Sequence, residues 1–192
     1  MEAREEKADV VIRMLEDKGG GSYYGEPVTQ KEHMVQAAMF AEEESKGNAD
    51  LIVAALLHDV GHLLHNETED VAERGLDMKH EKIGAEWLRR MGFKESVCEL
   101  VSLHVDAKRY LCFINPRYHD GLSDASKLSL SLQGGPMGEE EAKRFIESEF
   151  GRLSLQLRSW DEKAKVPDLP LPPLDHFRPF ILSTLLETHS LM

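Results

Sequence analysis

The 192 residues predict an all-α protein, and three observations carry that prediction. Apolar residues recur at helical spacing along most of the chain, no stretch alternates strands with helices, and Gly and Pro fall between the periodic segments. A chain of this length buries roughly 70% of the surface its unfolded form exposes. One domain over residues 1–192 is therefore expected, with a core that needs no staple.

The elements follow in order. Val10, Val11, Met14 and Leu15 line one face of an opening helix that stops at Gly19, Gly20 and Gly21. Tyr23-Tyr24-Gly25-Glu26-Pro27 reads as a loop. Thr29 and Glu32 stand at capping-box spacing, which starts a helix near Gln30 that runs through Ala41 into the charged residues 42–46 and sets His33 on its first turns. Residues 51–64 read as a buried helix, although Leu51 to Val53 alone also fits a strand. His58, Asp59, Gly61 and His62 lie at the end of that helix. His80 opens another, with Ile83, Trp87 and Leu88 at helical spacing and an end near Gly92. A further helix from about Glu95 carries Val97, Leu100, Val101 and His104 and reaches Lys108. Asn115-Pro116 and Asp120-Gly121 mark a loop, and 122–132 is helical until Gly134-Gly135-Pro136. Residues 139–150 and 153–165 are helical, and a Pro-rich connector, 167–173, leads to a last helix from about Asp175.

Charge excludes some functions. With 23 basic against 35 acidic residues, the formal net charge is −12, the wrong sign for a general binder of nucleic acid or of an anionic membrane. Any phosphate-like ligand must then meet a local basic patch. Cys98 and Cys112 cannot make a disulfide framework, and residues 1–10 lack the apolar core of a secretory signal. A reduced, cytoplasmic protein is expected. The longest apolar run, 51–57, falls far short of the roughly 20 residues that span a bilayer.

Nine histidines are the informative part. His58-Asp59-x-Gly61-His62 sets an imidazole and a carboxylate side by side, with Asp59 able to bridge two ions. Alone, such a dipeptide reads as a surface pair or a cap. Here His33 precedes it, His80 and His104 follow on separate helices, and Asp161 lies on another, each near apolar residues that turn its face inward. With no cysteine among them, the donors suit iron, manganese or zinc. Lys108 lies four residues after His104 and Arg158 three before Asp161, so both project toward the ligand side. The bland readings are a solvated lysine and a surface pair of Arg158 with Glu162. His65, His119, His176 and His189 have no ligand-like neighbours and read as surface or structural residues. Cys98 and Cys112 read as buried small hydrophobes.

The order His33, His58-Asp59, His80, His104, Asp161 resembles the HD-domain superfamily in its two-metal form. More closely, Tyr23-x-Gly25-Glu26, Thr29-Gln30-x-Glu32-His33, His104-x-x-x-Lys108-Arg109-Tyr110 and Gln133-Gly134-Gly135-Pro136-Met137 resemble the diiron oxygenases of phosphonate catabolism. The resemblance implies an HD-domain helical bundle and two irons, mixed-valent Fe(II)/Fe(III), with O2 as co-substrate. It implies that His33, His58 and Asp161 hold one iron, that His80 and His104 hold the other, and that Asp59 bridges them. By the same resemblance Lys108, Arg158 and Ser126 contact a phosphonate, while Glu26 meets a cationic nitrogen and Tyr23 occupies a metal position at rest. His62 is either a core histidine or a donor to the bound phosphonate or oxygen. The implied reaction cleaves the carbon–phosphorus bond of (R)-2-amino-1-hydroxyethylphosphonate to glycine and phosphate. The trimethylammonio analogue, giving glycine betaine, would instead prefer aromatic faces such as Tyr23, Tyr24 and Tyr110. Two other classes remain open: a dinuclear-metal HD phosphohydrolase, in which bridged metals generate hydroxide, and a non-enzymatic nucleotide-sensing or scaffold module.

Overall fold

The computed structural model describes residues 2–23, 25–64 and 77–187. His65, His189 and Tyr24, weighed above, lie outside the described residues. Among those residues the chain is all-α: α1 (Glu2–Lys18), α2 (Gln30–Glu44), α3 (Ala49–Leu57), α4 (Val60–Leu63), α5 (His80–Met91), α6 (Glu95–Ile114), α7 (Pro116–Gly121), α8 (Asp124–Leu132), α9 (Glu139–Glu147), α10 (Gly151–Lys163) and α11 (Arg178–Thr184), the last preceded by a 3-10 turn, Leu174–Phe177. The β-type pairing described is two isolated bridges, Ser22 with Thr29 and Phe93 with Leu185. No helix among the described residues is long and apolar enough to cross a membrane.

α3 is the axis of the core. Each of its side chains from Leu51 to Leu57 is buried, so neither face is left for solvent, and it packs against α2, α6, α10 and α11. Burying a residue such as Ile52, Leu56 or Leu57 stabilises the fold by ~1.5–3 kcal/mol, and 51–53, which alone also fit a strand, lie within this helix. Cys98 and Cys112 are both buried and unpaired, as expected of small hydrophobes.

Three expectations need correction. The helix expected over 51–64 is broken: α3 ends at Leu57, and Asp59, with φ −100° and ψ 10°, precedes the short α4. The loop expected at 115–121 is the helix α7. Asn115 ends α6 and caps its successor, its side-chain oxygen accepting from the Arg117 N–H at 3.1 Å with Pro116 behind it; Asn-Pro is a helix start as readily as a turn. α6 itself passes Lys108 and runs to Ile114, because neither Gly nor Pro interrupts it before Asn115.

Candidate metal centre

Five parts of the fold converge. His33 sits on the first turn of α2, where both halves of the expected capping box form: the Glu32 N–H donates to Thr29 Oγ1 at 3.2 Å, and the Thr29 N–H to the Glu32 carboxylate at 2.6 Å. His58 and Asp59 occupy the joint between α3 and α4, His80 opens α5, His104 lies within α6, and Asp161 lies near the end of α10. Gly61 allows the joint to close on α5. A Cβ there would meet the His80 carbonyl oxygen at 2.0 Å, so only glycine permits this approach. α2 is tied to the chain just past Asp161 by three bonds: His33 Nδ1 to the Ala164 carbonyl at 2.8 Å, and the Gln36 amide both donating to and accepting from Val166, at 2.8 and 3.0 Å.

The six candidate ligands are all buried and fall into two groups about one carboxylate. His33 Nε2 and His58 Nε2 are 3.0 Å apart; Asp59 Oδ2 lies 3.5 and 3.3 Å from them, and Asp161 Oδ1 3.3 and 3.7 Å. On the other side His80 Nε2 and His104 Nε2 are 3.1 Å apart, with Asp59 Oδ1 at 3.3 and 3.5 Å. His62 Nε2 is 3.9 Å from the same oxygen, and its ring stacks on His80 at 3.9 Å between centroids. His62 thus joins this side: its ring lies nearer to that of His80 than the His104 ring does, at 5.0 Å between centroids, while His104 Nε2 stands nearer to Asp59 Oδ1.

Three of the four candidate histidine ligands spend Nδ1 on a main-chain carbonyl: His33 on Ala164, His58 on Ala55 at 2.8 Å, and His104 on Val101 at 2.7 Å. A neutral ring that donates from Nδ1 leaves Nε2 with a bare lone pair. Two lone pairs 3.0 Å apart repel unless something positive lies between them. Among the described residues Asp59 Oδ2 is buried with no hydrogen-bond partner, which adds negative charge to the same demand. Burial opposes a proton on His58, yet Asp59 and Asp161 lift it to about 9; without a metal, a proton answers the demand. Burial likewise opposes ionisation of Asp59, but His58, His104 and His80 hold it well below the usual carboxylate range. The donors fit a pair of metal ions: imidazole and carboxylate on each side, one carboxylate oxygen for each group, and no thiolate.

Around this cluster stand the other candidates. The Tyr23 ring stacks on His33, with centroids 3.8 Å apart, and burial with Asp59 and Asp161 nearby pushes its phenol well up. Its loop is closed by the Tyr23 N–H bond to the Val28 carbonyl at 3.0 Å. Lys108 is 5% exposed and donates to Ser129 Oγ at 2.8 Å. Ser126 lies one turn earlier on α8, its carbonyl accepting from the same Ser129 hydroxyl at 3.1 Å. Arg158 is buried; it bonds Asp161 Oδ2, the Tyr118 hydroxyl at 2.9 Å and Glu162 Oε2 at 2.7 Å. The pair with Glu162 therefore exists, but within the interior. Glu26 bonds Lys165 at 2.9 Å, and, despite partial burial, Lys165 and Ser123 hold its carboxyl below the usual range. Burial and His80 push His62 well down, which keeps it neutral near pH 7. Tyr110 instead packs on Phe145, centroids 5.1 Å apart. His119 pairs with Asp120 and the exposed His176 with Glu42, as expected of surface residues.

Sequence reasoning missed Tyr118, Ser129 and Lys165. No local pattern links Tyr118 to Arg158, 40 residues away. Lys165, four residues after Asp161 on the chain, stood at the spacing that singled out Lys108 and was legible by the same rule.

Comparison with known proteins gives a consistent result. Residues 31–154 match the HD domain. The chain is 41% identical over 184 residues to a hydroxymethylphosphonate dioxygenase of Gimesia maris, covering 94% of this chain and 89% of the relative. It is 39% identical over 168 residues to a 1-hydroxy-2-(trimethylamino)ethylphosphonate dioxygenase (glycine-betaine-forming) of Leisingera caerulea, covering 88% and 85%. An uncharacterized protein, L432, of Acanthamoeba polyphaga mimivirus is 38% identical over 190 residues, covering 98% and 86%.

Proposed function

The chain belongs to the HD-domain family and, within it, to the phosphonate dioxygenases, and from that premise we propose that it cleaves the carbon–phosphorus bond of a 1-hydroxyphosphonate at a two-iron site in the cytoplasm. One observation carries the reading: two pairs of imidazole nitrogens, 3.0 and 3.1 Å apart, face one another on either side of a single buried carboxylate. On this reading His33, His58 and Asp161 would hold one iron, His80 and His104 would hold the other, and Asp59 would be shared between them. A mixed-valent Fe(II)/Fe(III) pair, when bound, supplies the one-electron chemistry and a position for dioxygen. The reaction balances as a hydroxyphosphonate dianion plus O2 giving a carboxylic acid and hydrogen phosphate. The bond from carbon to phosphorus breaks, the carbon is oxidised, and dioxygen is reduced.

The chain's own side chains do the rest. Lys108 and Arg158 offer N–H donors to the phosphonate oxygens in a buried setting, where charge-assisted bonds are strong, and Ser126 is the third contact. His62, neutral, donates a further hydrogen bond. Tyr23, lying over His33, covers the site until substrate displaces it. Glu26 receives a cationic nitrogen, which would share the carboxylate with Lys165. The substrate proposed is (R)-2-amino-1-hydroxyethylphosphonate, giving glycine and phosphate.

The test is phosphate release with oxygen consumption followed in parallel. Iron-loaded protein is offered 2-amino-1-hydroxyethylphosphonate, its trimethylammonio analogue and hydroxymethylphosphonate. The expected result is phosphate and oxygen in equal amounts, fastest with the amino compound, and no phosphate without oxygen. Faster turnover of one of the others reassigns the substrate; phosphate released anaerobically makes the site a hydrolase and overturns the reading.

A further inference from the structure

One candidate ligand is held unlike the rest. His33, His58 and His104 each fix the ring by an Nδ1 bond of 2.7–2.8 Å to a main-chain carbonyl. Among the described residues His80 has no such carbonyl; the acceptor beside its Nδ1 is the Glu81 carboxylate, with Oε2 at 3.8 Å. Glu81 is 6% exposed, and that oxygen is buried with no hydrogen-bond partner among the described residues. A buried carboxyl oxygen without a donor is destabilising, and a native protein keeps one only where it has a task. The ring nitrogen beside it is His80 Nδ1, which, among the described residues, has no main-chain carbonyl to fix it. An approach about 1 Å closer makes a normal hydrogen bond, within reach of a rotamer adjustment at the first turn of α5.

We propose that Glu81 is a positioning residue for His80: its carboxylate accepts the Nδ1–H, holding the ring with Nε2 aimed at the ion that His80 shares with His104. A metal-bound imidazole becomes a better donor through its other N–H, so the bond tightens as the ion binds, and carboxylate partners of this kind raise ligand basicity. The inference rests on the two-metal reading above.

The test separates this role from a structural one. Wild type, Glu81→Ala and Glu81→Gln are titrated with ferrous iron, ions per chain are counted, and the metal-free forms are unfolded in urea. Wild type should take two ions. Glu81→Ala should bind the second 10–100-fold more weakly, while Glu81→Gln, which keeps an acceptor oxygen, stays within a few-fold. The metal-free Ala variant should be at least as stable as wild type, since it loses an orphaned group. Unchanged affinity for the second ion in Glu81→Ala, or a loss of metal-free stability with metal content intact, overturns the proposal and leaves the two-metal reading standing. Wild type that takes fewer than two ions removes both. Independently of any variant, 15N shifts of His80 in the zinc-loaded wild type should show Nδ1 protonated; the other tautomer overturns the assignment.

Discussion

Replacing Lys108 by methionine should make the protein more stable and a worse enzyme. The ammonium is 5% exposed, and burial, reinforced by Arg158, pushes its pKa from 10.5 to about 8, with Asp161, Asp59 and Glu162 pulling the other way. That depression, at about 1.4 kcal/mol per pH unit, makes the charged lysine costly to the fold by about 3.5 kcal/mol. Because the folded pKa lies below the unfolded one, the unfolded chain binds more protons between pH 8 and 10.5. Wild-type stability therefore rises with pH across that window, and the full cost is present below it. Methionine keeps the aliphatic stem and removes the charge, but it loses the bond to Ser129 Oγ, worth about 1 kcal/mol. In urea at pH 7, Lys108→Met should be more stable by about 2.5 kcal/mol, and the advantage should vanish at about pH 10 and give way above it to a small deficit from the lost bond. Its KM for the phosphonate should rise roughly 10–100-fold, as for a lost bond to a charged group. A variant that is less stable at pH 7 and has an unchanged KM would refute the reasoning and return Lys108 to a structural role.

Other expectations follow from the same geometry. Asp59→Ala should bind fewer than two ions by elemental analysis while its circular dichroism stays helical, since the carboxylate faces both groups. Tyr23→Phe should keep the stack on His33 but lose any phenolate charge-transfer band in the resting optical spectrum, with turnover surviving; an unchanged band places its origin elsewhere. Glu26→Ala should raise KM for the amino substrate and leave that for hydroxymethylphosphonate unchanged, because only the former carries an ammonium. Gly61→Ala should lower the urea midpoint, by about 1–3 kcal/mol of overpacking, as the new Cβ meets the His80 carbonyl.

The buried His and Asp cluster was legible because its chemistry is carried by residue types that rarely turn inward together. Five helical faces each supplied one or two, and the periodicity of α5 and α6 was enough to turn His80 and His104 inward. What the chain did not reveal are contacts between distant segments. The break at His58-Asp59 is set by the approach of α5 to Gly61, and the path from Arg158 to Tyr118 crosses from α10 to α7. Asn115-Pro116 had two local readings, and only the position of α7 against α6 chose between them. Lys165 stood at a legible spacing from Asp161, and what the chain hid was its pairing with Glu26, 139 residues away.

The span of the cluster has a consequence for the life of the protein. His33 and Asp161 come from α2 and α10, elements far apart along the chain, and stand 3.3 Å apart only once the helices between them are packed. An unfolded chain offers no such cage, so an ion that fills it binds the native state alone and adds about 2.7 kcal/mol when present at a hundred times its dissociation constant. On the two-metal reading, scarcity of the ion would therefore act twice, idling the molecule and lowering the stability of its fold.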